Sequence, residues 1–131
     1  KHKTAFDLRP FQEARRVSKN SSSTRAKMGS VVTKRNKPLS SACNRIGYKR
    51  LYISGTGTIV LPRHAEIQAI LQAGPENTKG ATLWIWRELK DGTPALARPC
   101  EKHCMPFSKL IGIKRIIYTV AEYPYYAEEL I

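Results

Sequence analysis

The sequence predicts an α/β fold, a three-layer α/β/α sandwich around a mixed sheet of about four to five strands, and three features predict it. Residues 5–19 place Phe6, Phe11, Ala14 and Val17 at roughly helical spacing. Two short apolar runs, 31–33 and 39–43, flank the turn-like Arg35-Asn36-Lys37-Pro38. From Pro62 onward, helical and extended patterns alternate. With 131 residues, 41% of them hydrophobic, the chain is about one domain with one core, and residues 1–131 are read as that single domain.

The first helix is amphipathic, with Arg15, Arg16 and Lys19 left for its outer faces, and Asn20-Ser21-Ser22-Ser23 ends it. The two runs that follow make a hairpin. Residues 45–61 carry Gly47, Gly55 and Gly57 with no clear period and read as a long loop. That loop delivers the chain to Pro62, read as a first-turn residue of a helix that carries His64, Ile67, Ile70 and Leu71 and stops near Gly74-Pro75. Residues 81–88, almost continuously apolar around Thr-Leu-Trp-Ile-Trp, fit a central strand covered on both faces, with Trp84 and Trp86 in the core. After the loop Asp91-Gly92-Thr93-Pro94, Pro99 opens a second helix through Phe107, Leu110 and Ile111 to Gly112. Residues 114–120 are a further strand, and 123–131 are expected to form a short helix. There is no internal repeat.

No run of about 18 apolar residues exists to form a transmembrane helix, and the lysine-rich start lacks the apolar core of a signal peptide, so a soluble, cytoplasmic protein with no membrane partner is expected. Three cysteines, with Cys43 isolated and Cys100 close to Cys104, suit a metal site in a reducing compartment better than a disulfide framework. Cys43 reads as a small buried residue. The net charge is +13, and it is one-sided: residues 1–50 hold fourteen Lys or Arg against Asp7 and Glu13, whereas residues 51–131 hold nine against eight acidic residues. Such a field favours a polyanion, because each neutralised phosphate releases condensed counterions. Single-stranded DNA or RNA is therefore the expected partner. Lys34, Arg35 and Lys37 sit at the hairpin turn, while Arg45, Lys49 and Arg50 are the expected nucleic-acid contacts beside Asn44. Tyr48, Tyr52, Tyr123, Tyr125 and Tyr126 are available to stack on bases.

The chemistry is concentrated in His64-Ala65-Glu66 and Pro99-Cys100-Glu101-Lys102-His103-Cys104. One imidazole and two thiolates can hold zinc with a fourth position open, and a carboxylate two residues beyond the imidazole can carry protons beside it. Glu66 is the expected catalytic residue. The third ligand is Cys104 or His103: a two-residue spacer would select His103, whereas Phe107 and Leu110-Ile111 are placed to pack beneath Cys104, and Cys104 is the reading adopted. His103 and His2 are then surface residues.

With those residues in place, the chain resembles the cytidine and deoxycytidylate deaminase superfamily over nearly its whole length. Ala14-Arg15-Arg16-Val17-Ser18, Gly29-Ser30-Val31-Val32-Thr33 and Ala42-Cys43-Asn44 look like its first helix, hairpin and substrate-binding asparagine, and Arg98-Pro99-Cys100 with Gly112-Ile113-Lys114-Arg115-Ile116-Ile117-Tyr118 is similar to small, often phage-encoded members. The resemblance implies that His64, Cys100 and Cys104 bind Zn2+, that Glu66 shuttles protons, and that Asn44 contacts the nucleoside; Ala65, Arg98 and Tyr123 are the further expected substrate contacts. The chain departs from the family in three places. The cysteine spacer is one residue longer than in most nucleotide-acting members, Arg98 stands where tRNA adenosine deaminases usually carry glutamate, and the short stretch after Val120 leaves the fifth strand very short or absent. The expected reaction is hydrolytic deamination of cytosine to uracil in single-stranded nucleic acid. A free cytidine or deoxycytidylate deaminase, an adenosine-to-inosine deaminase and a non-catalytic, zinc-stabilised RNA-binding protein are the alternatives.

Overall fold

The computed structural model describes residues 3–23, 26–53, 55 and 57–131; His2, expected at the surface, lies outside them. The elements are α1 (Arg9–Ser18), β1 (Met28–Lys34), β2 (Lys37–Cys43), β3 (Tyr48–Ile53), β4 (Gly57–Pro62), α2 (Ala65–Ala73), β5 (Thr82–Arg87), α3 (Cys104–Leu110), β6 (Arg115–Thr119) and β7 (Tyr126–Leu130). Five strands form one mixed sheet in the order β2-β1-β5-β6-β7, parallel only between β5 and β6. β3 and β4 pair with each other as a separate antiparallel ribbon.

α1 covers one face of the sheet, where Phe11 and Ala14 meet Val31, Trp86 and Ile117. α2 and α3 cover the other, where Ile67, Ile70 and Phe107 meet Val32, Leu83, Ile85 and Ile116. β5 is central, as its continuous apolar run predicts. Trp86 is buried; Trp84 is half-buried, packs edge-on against Phe11 at 5.2 Å and donates its indole N–H to Thr33. α1 lies so close to β1 that a Cβ at Gly29 would stand 1.8 Å from the Ala14 carbonyl oxygen, which leaves glycine as the residue that fits.

Four expectations give way to tertiary structure. The single helix over 5–19 is a 3-10 turn at Ala5–Asp7, closed by reciprocal bonds between Thr4 and Asp7, followed by extended Leu8 and then α1, with Pro10 in its first turn where a missing N–H costs little. The loop over 45–61 contains β3 and β4, and Pro62 ends β4 instead of opening a helix; one face of this ribbon is exposed, so its alternation carries little hydrophobic signal. The second helix starts at Cys104, not Pro99, with a turn at 101–103. Residues 126–130 form β7 where a helix is expected, because pairing along the open side of β6 satisfies both backbones and overrides the helix preference of Glu-Glu-Leu. The fifth strand is thus present, with five residues. The expected hairpin is longer than its apolar runs; Arg35 (φ 53) and Asn36 (φ 65) make the two-residue turn. No described helix is long and apolar enough to cross a membrane.

Candidate metal centre and active site

α2 and α3 bring the two halves of the motif together. His64 is the N-cap residue of α2, in extended conformation, and Glu66 lies in the first turn. Cys104 is the first residue of α3, and Cys100 sits one turn earlier, its carbonyl accepting from Met105 N–H at 2.9 Å and its sulfur from Cys104 N–H at 3.3 Å. A chain held this way makes the three-residue spacer a compact turn. It directs both sulfurs to one point and leaves His103 outside the cluster, as the N-cap of α3.

His64 Nδ1 is 3.2 Å from Cys104 Sγ and 3.8 Å from Cys100 Sγ, and all three donor atoms lie within 4.8 Å of one another. Tetrahedral zinc, with Zn–S of ~2.3 Å and Zn–N of ~2.0 Å, needs neighbouring donors roughly 3.5–3.8 Å apart, so the residues fit the ion. Electrostatics point the same way. Burial, then the facing Glu66 and Cys100, push the Cys104 thiol far above its ordinary value, and burial raises the Glu66 carboxyl. Glu66 is 3% exposed and, among the described residues, its Oε1 has no hydrogen-bond partner, a costly state for a buried carboxylate. Groups that resist ionisation together become a stable set around a divalent cation, and the unpartnered oxygen is left free to exchange a proton with a reactant.

The other expected site residues are placed as follows. Ala65 is fully buried at the start of α2, between ligand and carboxylate. The half-buried Asn44 binds within the chain: its Oδ1 accepts from Met28 N–H at 2.9 Å and from the Ser21 hydroxyl, and its Nδ2 donates to the Ala26 carbonyl at 2.7 Å, fixing the segment that leads into β1. Arg98 is paired with Glu129 at 2.6 Å and with Glu101. Tyr123 is exposed and lies edge-on to Tyr125 at 5.8 Å. Tyr125 and Tyr126 pack against the α1-side core. Arg45, Lys49 and Arg50 are exposed at the base and along the first strand of the β3–β4 ribbon. Cys43 is buried. Sequence reasoning missed Ser21 and Glu129 as partners of Asn44 and Arg98; they lie 23 and 31 residues away, and no local pattern marks them.

An α/β sheet that presents an imidazole and two thiols beside a buried carboxylate has the architecture of a zinc-dependent deaminase. Residues 5–120 match the family model of the cytidine and deoxycytidylate deaminase zinc-binding region, and the chain belongs to that family. Two structures of Acinetobacter baumannii RibD, form 1 and form 2, are similar in fold: each has a TM-score of 0.50 and 19% identity, over 83% of this chain and 26% of theirs. The chain spans about a quarter of the length of those proteins. None of the curated proteins matches it by sequence.

Proposed function

We propose that residues 1–131 act as a single domain that hydrolyses the exocyclic amine of cytosine, giving uracil and ammonia, in single-stranded nucleic acid. His64, Cys100 and Cys104 would hold zinc, which when bound would supply a Lewis acid that acidifies water. Glu66 does the proton work: its Oε1 takes one proton from the attacking water and passes it to the ring nitrogen N3, then takes that water's second proton from the new C4 hydroxyl and gives it to the amine, which leaves as ammonia when the C4–N bond breaks. The low-dielectric surroundings that raise the Glu66 carboxyl suit a group that must hold and release a proton. Asn44, by securing the segment before β1, and Ala65, between ligand and carboxylate, shape the wall of the pocket.

Cytosine as the base is supported by the family to which the chain belongs. A polynucleotide as its carrier is supported by one observation above all. The ribbon that bears the exposed Lys49 and Arg50 ends in Pro62, two residues before the ligand His64, and none of Arg45, Lys49 and Arg50 has a carboxylate partner among the described residues. Positive charge without internal partners beside a reactive centre attracts phosphates. The test is turnover of free cytidine and deoxycytidylate against a single-stranded oligonucleotide in one buffer, with Glu66→Gln as the control. Uracil in the oligonucleotide is the expected product; faster, salt-insensitive turnover of the free nucleotide would overturn the assignment, and inosine would reassign the base.

A further inference from the structure

Opposed residues of an antiparallel pair share a face, so the β3–β4 ribbon has two faces that can be read from its register. Leu51↔Ile59 and Lys49↔Leu61 make one, on which Leu61 is buried and Leu51 and Ile59 pack against the core beneath α2 and α3. Tyr48↔Pro62, Arg50↔Val60 and Tyr52↔Thr58 make the other. There Tyr48 is 69% exposed, Tyr52 72% and Val60 51%, and Arg50 and Thr58 are exposed as well. Tyrosine, arginine and tyrosine thus stand at alternate positions of one open strand face. Among the described residues, no ring contact engages Tyr48 or Tyr52 and no ion pair engages Arg50.

We propose that this face is a track for single-stranded nucleic acid, with Tyr48 and Tyr52 each stacking on a base and Arg50 taking a phosphate between them. The inference rests on the polynucleotide reading above and goes further, since it names the surface and the mode of contact. Tyr48 and Tyr52, four strand residues apart with Arg50 midway, stand ~13 Å from each other, about four times the ~3.4 Å rise of stacked bases, so the spacing suits a strand drawn out of its stack. That is the state from which one base can leave for a pocket. Aromatic faces interleaved with positive charge are how sequence-tolerant single-strand binding works. Charge complementarity selects a polyanion over other occupants: between Glu13 and Glu66 the sequence contains twelve Lys or Arg and no carboxylate side chain. A second copy of the chain would bring the same arginine-bearing face, and like charges, against this one.

The track also has a direction. Arg45 N–H donates to the Arg63 carbonyl at 2.8 Å, and Arg63 N–H donates to the Gly47 carbonyl at 3.1 Å, which ties the base of the ribbon to the residue before His64. A strand lying on Tyr52, Arg50 and Tyr48 in turn is led toward the zinc ligands.

The experiment measures binding of a labelled single-stranded oligonucleotide by fluorescence anisotropy across a salt series, on a Glu66→Gln background so that turnover plays no part. Tyr48→Ala with Tyr52→Ala is expected to weaken binding about five- to hundredfold per tyrosine while leaving the salt dependence unchanged. Tyr48→Phe with Tyr52→Phe keeps the rings and is expected to bind like the parent. Arg50→Gln should flatten the log–log salt slope by about 0.7, the value of one phosphate contact on a single strand. A duplex of the same sequence, which hides its base faces, should respond little to the tyrosine replacements. Zinc content and far-ultraviolet dichroism report folding, and the single Tyr48→Ala and Tyr52→Ala variants carry the test if the pair loses zinc. A parent that binds while the alanine pair binds equally well overturns the track and leaves the polynucleotide reading standing. Absence of single-strand binding by the parent overturns both. Unchanged binding with lost self-association in the alanine pair overturns the track and makes this face a contact between copies.

Discussion

Glu129 of β7 holds Arg98 by two arms: its Oε2 accepts from Arg98 Nε at 2.6 Å, and its Oε1 from a terminal guanidinium nitrogen at 3.1 Å. Tyr118 donates its hydroxyl to the same Oε2 at 2.8 Å. Arg98 lies two residues before Cys100, so the last strand of the chain clamps the segment that carries a zinc ligand. Bidentate pairs of this kind add geometric definition as well as attraction. Glu129→Ala should therefore loosen zinc, by about tenfold or more if it acts like other outer-shell supports of ligand geometry. Competition with a chromophoric chelator measures it, and retention equal to the parent's would show that Cys100 needs no such anchor.

The cluster geometry predicts about one zinc per chain, held through Cys104 and not through His103. Cys104→Ser should remove most of the metal and His103→Ala little, by elemental analysis of purified protein. The reverse pattern would mean that the spacer runs in a different register.

Glu66→Ala should abolish deamination while zinc stays bound, because the carboxylate is outside the donor set and the role proposed for it is to carry protons. Loss of a general acid/base costs roughly 10²–10⁴ in rate, and a group used in two proton transfers should fall at the upper end. Single-turnover kinetics with metal content measured on the same sample separate a catalytic defect from loss of zinc.

Glu88 joins α1 to the central strand, accepting from Arg15 Nε and from Trp86 Nε1, each at 2.9 Å. Burial acts to raise its carboxyl, but the Arg15 and Trp86 hydrogen bonds and the charges of Arg15 and Lys19 outweigh it and hold the group below the usual carboxylate value. A group whose folded pKa is depressed contributes stability that is fully present above the unfolded value near 4.5 and is lost as pH falls through the folded value. Glu88→Gln should thus lower thermal stability at neutral pH and converge on the parent in acid. Melting curves from pH 7 down to about 3 test the sign; a gap that widens toward low pH would contradict it.

Much of the site was legible because its signals are local. His64-Ala65-Glu66 and Pro99-Cys100 with Cys104 are short patterns whose donor types state their own chemistry, and the apolar run through Trp84 and Trp86 marks a strand covered on both faces wherever it occurs. The choice of Cys104 over His103 was only half legible: the residues allowed both, and the turn at 101–103 decided by aiming one side chain inward.

The α/β class, the central strand and the chemistry of the zinc donors are each written in neighbouring residues or in the period of a single element. Tertiary structure alone decided the β3–β4 ribbon, the strand at Tyr126–Leu130 and the clamp between Arg98 and Glu129. A ribbon with one wet face has a weak hydrophobic period, a strand at the end of a sheet forms because a neighbouring backbone offers unpaired donors and acceptors, and an ion pair spanning 31 positions depends on where a loop and a strand come to lie. Those are properties of the packed chain, and no local window contains them.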